Sequence, residues 1–198
     1  MRSKSLPRLI FEPLCLAIAL AFAVRALLFQ IYSIPSSSME PTLRPGDQII
    51  VTPYRFPFSA SGPKSGDVIV FRSPANTGET VVKRVIGTPG DHVEVKDGRV
   101  RLRGQTLFEP YLLEQASTTG LPSLVVPAAG YFVMGDNRRS SSDSRTWGFV
   151  PRDMVLGQAR LVLWSATGRS ARAEAFASTP LAPAARWAPA RRLFLPIR

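Results

Sequence analysis

The chain has one histidine, His92, and one cysteine, Cys15, in 198 residues. With one cysteine there is no internal disulfide, and its use neither supports nor excludes an oxidising compartment. Without a CxxC or a Cys/His cluster, a zinc site is not expected, and no metal or cofactor is called for. Acidic residues are also scarce: 14 Asp and Glu face 25 Lys and Arg, a net charge of +11. That excess favours a polyanionic surface, either nucleic acid or anionic lipid. No zinc-finger, helix-turn-helix or RNA-recognition signature is present, so nucleic acid is not an expected partner. There are no internal repeats, and no strand–helix–strand rhythm that would build a parallel sheet.

The positive charge is concentrated at the two ends. Arg2, Lys4 and Arg8 precede an apolar run, IFEPLCLAIALAFAVRALLFQIY, from about Ile10 to Tyr32. A bilayer core needs about 20 mostly apolar helical residues, and this run is long enough. Glu12 can sit at headgroup depth, and Arg25 can snorkel to the far interface. Residues 1–9 are then the cytoplasmic basic terminus, residues 10–32 a retained single-pass anchor, and the rest extracytoplasmic. Ala21-Phe22-Ala23 mimics a small-x-small cleavage site, but the apolar run continues past it through Phe29. At the other end, residues 166–198 form an Ala/Arg/Pro-rich basic tail, expected to be mostly poorly ordered. Its last part, RWAPARRLFLPIR, suits either a lipid surface or solvent.

Between these ends, residues 33–165 read as a mainly β domain. The 18 prolines argue against a helical bundle. Short apolar runs at Gln48–Val51, Val68–Arg72, Val81–Ile86, Val93–Val95, Val100–Leu102, Tyr131–Met134 and Ala159–Trp164 predict strands. Asp97-Gly98 predicts a two-residue hairpin turn, and Pro45-Gly46 and Pro89-Gly90 mark further turns. An antiparallel sheet fits, with residues from about 87 to 130 as a small β and loop excursion.

Scarce histidine shapes the chemistry. A serine hydroxyl is a weak nucleophile until a base takes its proton, and lysine is the strongest candidate for that base here. In Val81-Val82-Lys83-Arg84-Val85-Ile86, strand alternation puts Lys83 on the face of Val81 and Val85. Apolar neighbours strip water from the amine and lower its pKa; the alternative is a strand lysine whose stem reaches solvent. Ser38, in IPSSSMEPTL, lies in a serine-rich turn just after the apolar run. Its N–H and the Ser36 hydroxyl are candidate oxyanion donors, although such a run can also be a plain turn. The polar run Gly135-Asp136-Asn137-Arg138-Arg139-Ser140-Ser141-Ser142-Asp143-Ser144-Arg145 follows a strand and can organise a site or form a surface turn.

Taken together, IPSSSMEPTL, SGDVIVFRSP, VVKRVIGTPGD and GDNRRSSSDSR resemble, in order, the four conserved boxes of bacterial type I signal peptidases. The resemblance spans most of residues 10–165. It implies the antiparallel β catalytic domain of the signal-peptidase/LexA-like type, with a small β cap and one preceding transmembrane helix. It implies Ser38 as nucleophile, Lys83 as general base and Ser36 as the side-chain oxyanion donor. Ser141 matches the serine that bonds the lysine amine, with Asp143, Arg145 and Arg84 as supporting residues. Ile34, Pro35 and Ile86 are candidate substrate-pocket residues. Ser37 stands where the family often has Gly, and the short Lys83-to-Gly135 spacing implies a small cap.

The activity implied is removal of signal peptides from exported preproteins at small-x-small sites such as Ala-x-Ala, without metal or cofactor. Signal peptides and membrane phospholipids are the implied partners, and the bacterial inner membrane the implied location. A dedicated maturation peptidase of the same superfamily, for example one processing a conjugation pilin, is the alternative. A self-cleaving repressor of the LexA-like class would need an N-terminal DNA-binding domain where this chain has the apolar run. A non-catalytic anchored β module would not need the Ser/Lys pair.

Overall fold

The computed structural model describes residues 11–20, 29–54, 62–112, 120–165 and 195–197. Residues 11–20 are helical (α1), and their apolar side chains, among them Leu14, Leu16, Ile18 and Leu20, are exposed. Among the described residues no helix is long and apolar enough to cross a membrane. Residues 1–10 and 21–28 of the expected terminus and anchor, and 166–194 and 198 of the expected tail, lie outside the described residues.

The rest is antiparallel β structure. One sheet is built from β1 (Gln30–Ser33), β2 (Gln48–Pro53), β3 (Val68–Arg72), β4 (Thr80–Gly87), β9 (Gly130–Met134), β10 (Val150–Pro151), β11 (Val155–Trp164) and β12 (Leu195–Pro196). Its order is β1-β2-β11-β3-β4-β9-β10, with β12 paired to β11. A second sheet, ordered β7-β6-β5-β8, comes from β5 (His92–Lys96), β6 (Arg99–Leu102), β7 (Gln105–Thr106) and β8 (Leu121–Val125). The seven strands expected from the sequence are all present, each within a few residues of its expected bounds.

Local sequence explains these elements. β3 is apolar on both faces because it is central, paired to β4 and β11. The β5–β6 hairpin turns on Asp97 and Gly98, with φ of 52° and 73°. Positive φ at both positions is the geometry that makes Asp-Gly a favoured hairpin turn. Gly87 is a close approach: a Cβ there would stand 2.5 Å from Val93 Cγ2, where the chain passes from one sheet to the other.

Strand alternation divides the core into three apolar clusters. Ile34, Met39 and Leu43 pack on Ile49, Val51, Val68 and Val70 on one face of the large sheet. Ile69, Phe71, Val85 and Val133 pack with Trp147 on the other. Ile86, Phe132 and Met134 join the small sheet through Val93, Val95 and Val100. The first cluster fixes the loop that carries Ser38, and the second surrounds the strand face that carries Lys83.

Two boundaries differ from expectation. Gln30–Tyr32, assigned to the anchor, are strand: Gln30, Ile31 and Tyr32 pair with Val51, Ile50 and Ile49. Apolar character alone does not separate the end of a helix from an edge strand, and the backbone of β2 supplies the hydrogen-bond partners. The end of the tail is also structured. Leu195 and Pro196 pair with Val162 and Leu161, and Ile197 packs on the first cluster.

Candidate active site

Lys83 stands in the middle of β4, opposite Ile69 on β3. It is 3% exposed. Ser38, 8% exposed, arrives on the loop between β1 and β2, held by the burial of its neighbour Met39. Lys83 Nζ lies 2.6 Å from Ser38 Oγ. Ser36 Oγ lies 3.2 Å from the same oxygen. Residues 45 positions apart are thus brought into one hydrogen-bonded group.

The amine has an altered proton affinity. Burial, opposed by the charges of Asp143 and Asp136 and assisted by Arg145, lowers the Lys83 pKa from 10.5 to about 8. An ammonium in a water-poor recess loses hydration that its surroundings do not replace. A useful fraction of the side chain is therefore neutral near physiological pH, as a general base requires.

Behind this pair stands Asp143, the N-cap of the short helix α2 (Ser144–Trp147). Its Oδ2 accepts hydrogen bonds from Gly135 N at 2.9 Å, Ser141 Oγ at 2.7 Å and Arg145 Nη2 at 2.8 Å. Its Oδ1 accepts from Arg145 Nε at 2.7 Å. Burial alone would raise the Asp143 pKa, but these bonds and the Arg145 charge hold it below the ordinary carboxylate range. The acid nearest the base is therefore ionised and already partnered.

A second buried group lies on the opposite face of β4. Arg84 Nε and Nη2 donate to Asp136 Oδ1 and Oδ2 at 2.9 and 2.7 Å, with both side chains at most 1% exposed. Thr42 Oγ1 also donates to Asp136, at 2.5 Å. Asn137 N donates to Ser38 O at 3.0 Å, and Asn137 Nδ2 to Ser37 O at 3.2 Å. Gly135 is required by proximity, since a Cβ there would stand 2.2 Å from Ser141 Oγ and 2.5 Å from Ser38 O.

The structure brings Ser38, Lys83, Ser36, Asp143, Arg145 and Ser141 together, with Arg84 behind the strand. Ile34 and Pro35 line the cleft of about 460 Å³ that opens on Ser38 and Lys83. Two expectations are corrected. Ser141 was expected to bond the lysine amine; its hydroxyl donates to Asp143 instead. Ile86 was expected in the pocket; it is 0% exposed in the third apolar cluster, on the face opposite Lys83.

Thr42 was not singled out from sequence, and Asp136, Asn137 and Arg138 had no individual role within the polar run. Asp136 was findable, because a strand arginine of core parity needs a buried acid, and the Gly135-Asp136 turn offers one.

A serine and a partly neutral lysine lie together, buried at the mouth of a cleft on an antiparallel β scaffold, an arrangement that fits the class of serine peptidases. The model of the family described as signal peptidase, peptidase S26, matches residues 8–164. The chain is 41% identical over 153 residues to probable signal peptidase I-1 of Synechocystis sp., covering 74% of this chain and 76% of that protein. It is 35% identical over 163 residues to signal peptidase I of Bacillus licheniformis, covering 77% and 86%. A crystal structure of a signal peptidase I from Enterococcus faecalis aligns at 38% identity with a TM-score of 0.46, covering 50% of this chain and 97% of that one. The chain belongs to the signal peptidase family.

Proposed function

We propose that this chain is a membrane-anchored serine endopeptidase that removes N-terminal signal peptides from exported preproteins, with Ser38 as nucleophile and Lys83 as general base. The observation that carries this reading is the 2.6 Å contact between Lys83 Nζ and Ser38 Oγ, both buried. Neutral Lys83 takes the Ser38 proton as Oγ attacks the carbonyl before the scissile bond. The Ser38 N–H and the Ser36 hydroxyl stabilise the oxyanion that develops. The ammonium then protonates the leaving amine, giving an acyl-enzyme and the free mature chain. Neutral again, Lys83 activates the water that releases the signal peptide and regenerates Ser38.

The cleft supports an extended substrate. β9 pairs with β4 only from Arg84 to Gly87. Among the described residues no strand pairs with the same edge of β4 from Thr80 to Lys83. A substrate segment can add there as a strand, gaining backbone hydrogen bonds while side chains enter shallow pockets near Ile34 and Pro35. Shallow apolar walls favour small residues at the first and third positions before the cut.

The apolar run from residue 10 to about residue 29 acts as the anchor in phospholipid. The basic N-terminus stays on the cytoplasmic side of the inner membrane and the β domain is extracytoplasmic. The exposed apolar side chains of α1 support this. Anchoring confines enzyme and precursor to one surface.

The test uses the full chain in lipid vesicles with a preprotein bearing an Ala-x-Ala site. Cleavage after that site, read by mass spectrometry of the product, is expected from the wild type and absent from Ser38→Ala. An uncut precursor with wild type, or equal cutting by Ser38→Ala, contradicts the proposal.

A further inference from the structure

The segment that follows β7, before β8 of the small sheet, reaches back to the large one. Glu109 takes both terminal nitrogens of Arg138: Nη1 donates to Oε2 at 3.2 Å and Nη2 donates to Oε1. The Arg138 side chain is 1% exposed and that of Glu109 is 9% exposed. Tyr111 hydroxyl donates to Glu109 Oε1 at 2.6 Å. The Tyr111 ring lies against the Arg84 guanidinium, whose carbon is 3.9 Å from the ring centroid. A cation over an aromatic face in a desolvated site is attracted by the ring's quadrupole. Burial is the largest influence on the Tyr111 hydroxyl and raises its pKa, so it stays a neutral donor.

Both arginines lead to the nucleophile and base. Arg138 Nε donates to Gly135 O at 3.0 Å. The turn fixed in this way carries Asn137, whose N–H and side-chain amide hold the carbonyls of Ser38 and Ser37. It also carries Gly135 N, which donates to Asp143. Arg84 follows Lys83 in β4 and clamps Asp136 of the same turn. The buried cations are thus completed from a segment outside the catalytic sheet.

We infer that Glu109 and Tyr111 are positioning residues: they latch the cap onto Arg138 and Arg84, and through these fix the distance between Ser38 and Lys83. This rests on the proposed Ser38/Lys83 chemistry. A hydroxyl displaced by a fraction of an ångström from its base loses turnover rather than substrate affinity. The latch therefore acts on kcat, with the cleft left intact.

The test compares the full chain with Glu109→Gln, Tyr111→Phe and Tyr111→Leu. Glu109→Gln keeps the shape and removes the charge that completes Arg138. Its kcat is expected to fall about tenfold or more, corresponding to about 1.4 kcal/mol of lost transition-state stabilisation. KM is expected to stay within about twofold. The midpoint of its pH–rate curve should rise as water reaches Lys83. Tyr111→Leu removes ring and hydroxyl and should cost more than Tyr111→Phe, which keeps the ring over Arg84.

Val95→Ala, a core truncation in β5 beside the Asp97-Gly98 turn, is the control for simple loss of stability. Its kcat per folded molecule should match wild type at comparable thermal destabilisation. Hydrogen exchange at the Asn137 amide gives a readout free of substrate, expected to quicken about tenfold in Glu109→Gln and not in Val95→Ala. A folded Glu109→Gln with wild-type kcat, pH midpoint and Asn137 exchange overturns the latch. So does a kcat loss no larger than that of Val95→Ala. If the wild type fails to cut a preprotein, the functional reading fails, and the exchange experiment still decides the latch.

Discussion

Lys83 and Arg84 are adjacent on β4, equally buried, and opposite in chemistry. Arg84 is fully satisfied: it holds Asp136 through two nitrogens, donates to Gly66 O at 2.9 Å and stacks on Tyr111. Lys83 faces a serine hydroxyl, and the nearest acid on its side is already taken by Arg145. One strand thus places a permanent cation on the face where acids are offered and a convertible one on the face where they are withheld. Burial is common to both; the difference in function comes from the partners.

The largest expected effect separates base from clamp. Lys83→Met should reduce turnover by about 10³-fold or more, within the range a general base supplies. The same variant should be more stable than wild type at neutral pH, by about 3 kcal/mol, because the buried ammonium is costly. The unfolded chain holds the lysine proton up to about pH 10.5, whereas the folded chain releases it near 8. Wild-type stability therefore gains on the variant as pH rises from 8 to 10.5, and the penalty is fully present below 8. Urea unfolding of both proteins at several pH values checks this.

Arg84→Met should act the other way, destabilising by about 3–5 kcal/mol, since it strands Asp136 without its counter-charge. Thermal unfolding reads this directly, and a variant as stable as wild type would remove the contrast between the two faces. A smaller effect is expected from Arg145→Met. Asp143, no longer offset, would favour the ammonium and raise the Lys83 pKa above about 8. Turnover per folded molecule should fall severalfold at pH 7 and recover in alkali, seen as an upward shift of the pH–rate midpoint. Smallest of all is His92→Ala. The residue is exposed at the start of β5, away from the cleft, and its loss should leave kcat/KM within about twofold.

Much of this organisation was legible in local sequence because it is written at short range. The runs VIVFR and YFVM announce central strands, and Asp97-Gly98 announces its own turn. The flanking Val81 and Val85 correctly placed Lys83 against apolar neighbours. The same alternation puts Ile86 with Arg84 and away from Lys83, so its assignment to the pocket was avoidable. What could not be read are pairings across long separations: Glu109 with Arg138, and Gln30–Ser33 with β2. Each is set by how finished elements dock, and no spacing in the chain encodes it. Ser141 shows the same limit at short range, since its hydroxyl chooses between the amine and Asp143 by geometry alone.

The most direct measurement is a titration of the Lys83 amine in the full chain by NMR with isotope-labelled lysine. A midpoint near pH 8 for Lys83, absent from spectra of Lys83→Met, is the predicted result. A midpoint at the ordinary value near 10.5 would mean that the amine is charged whenever the enzyme works, and would contradict its proposed role as the base for Ser38.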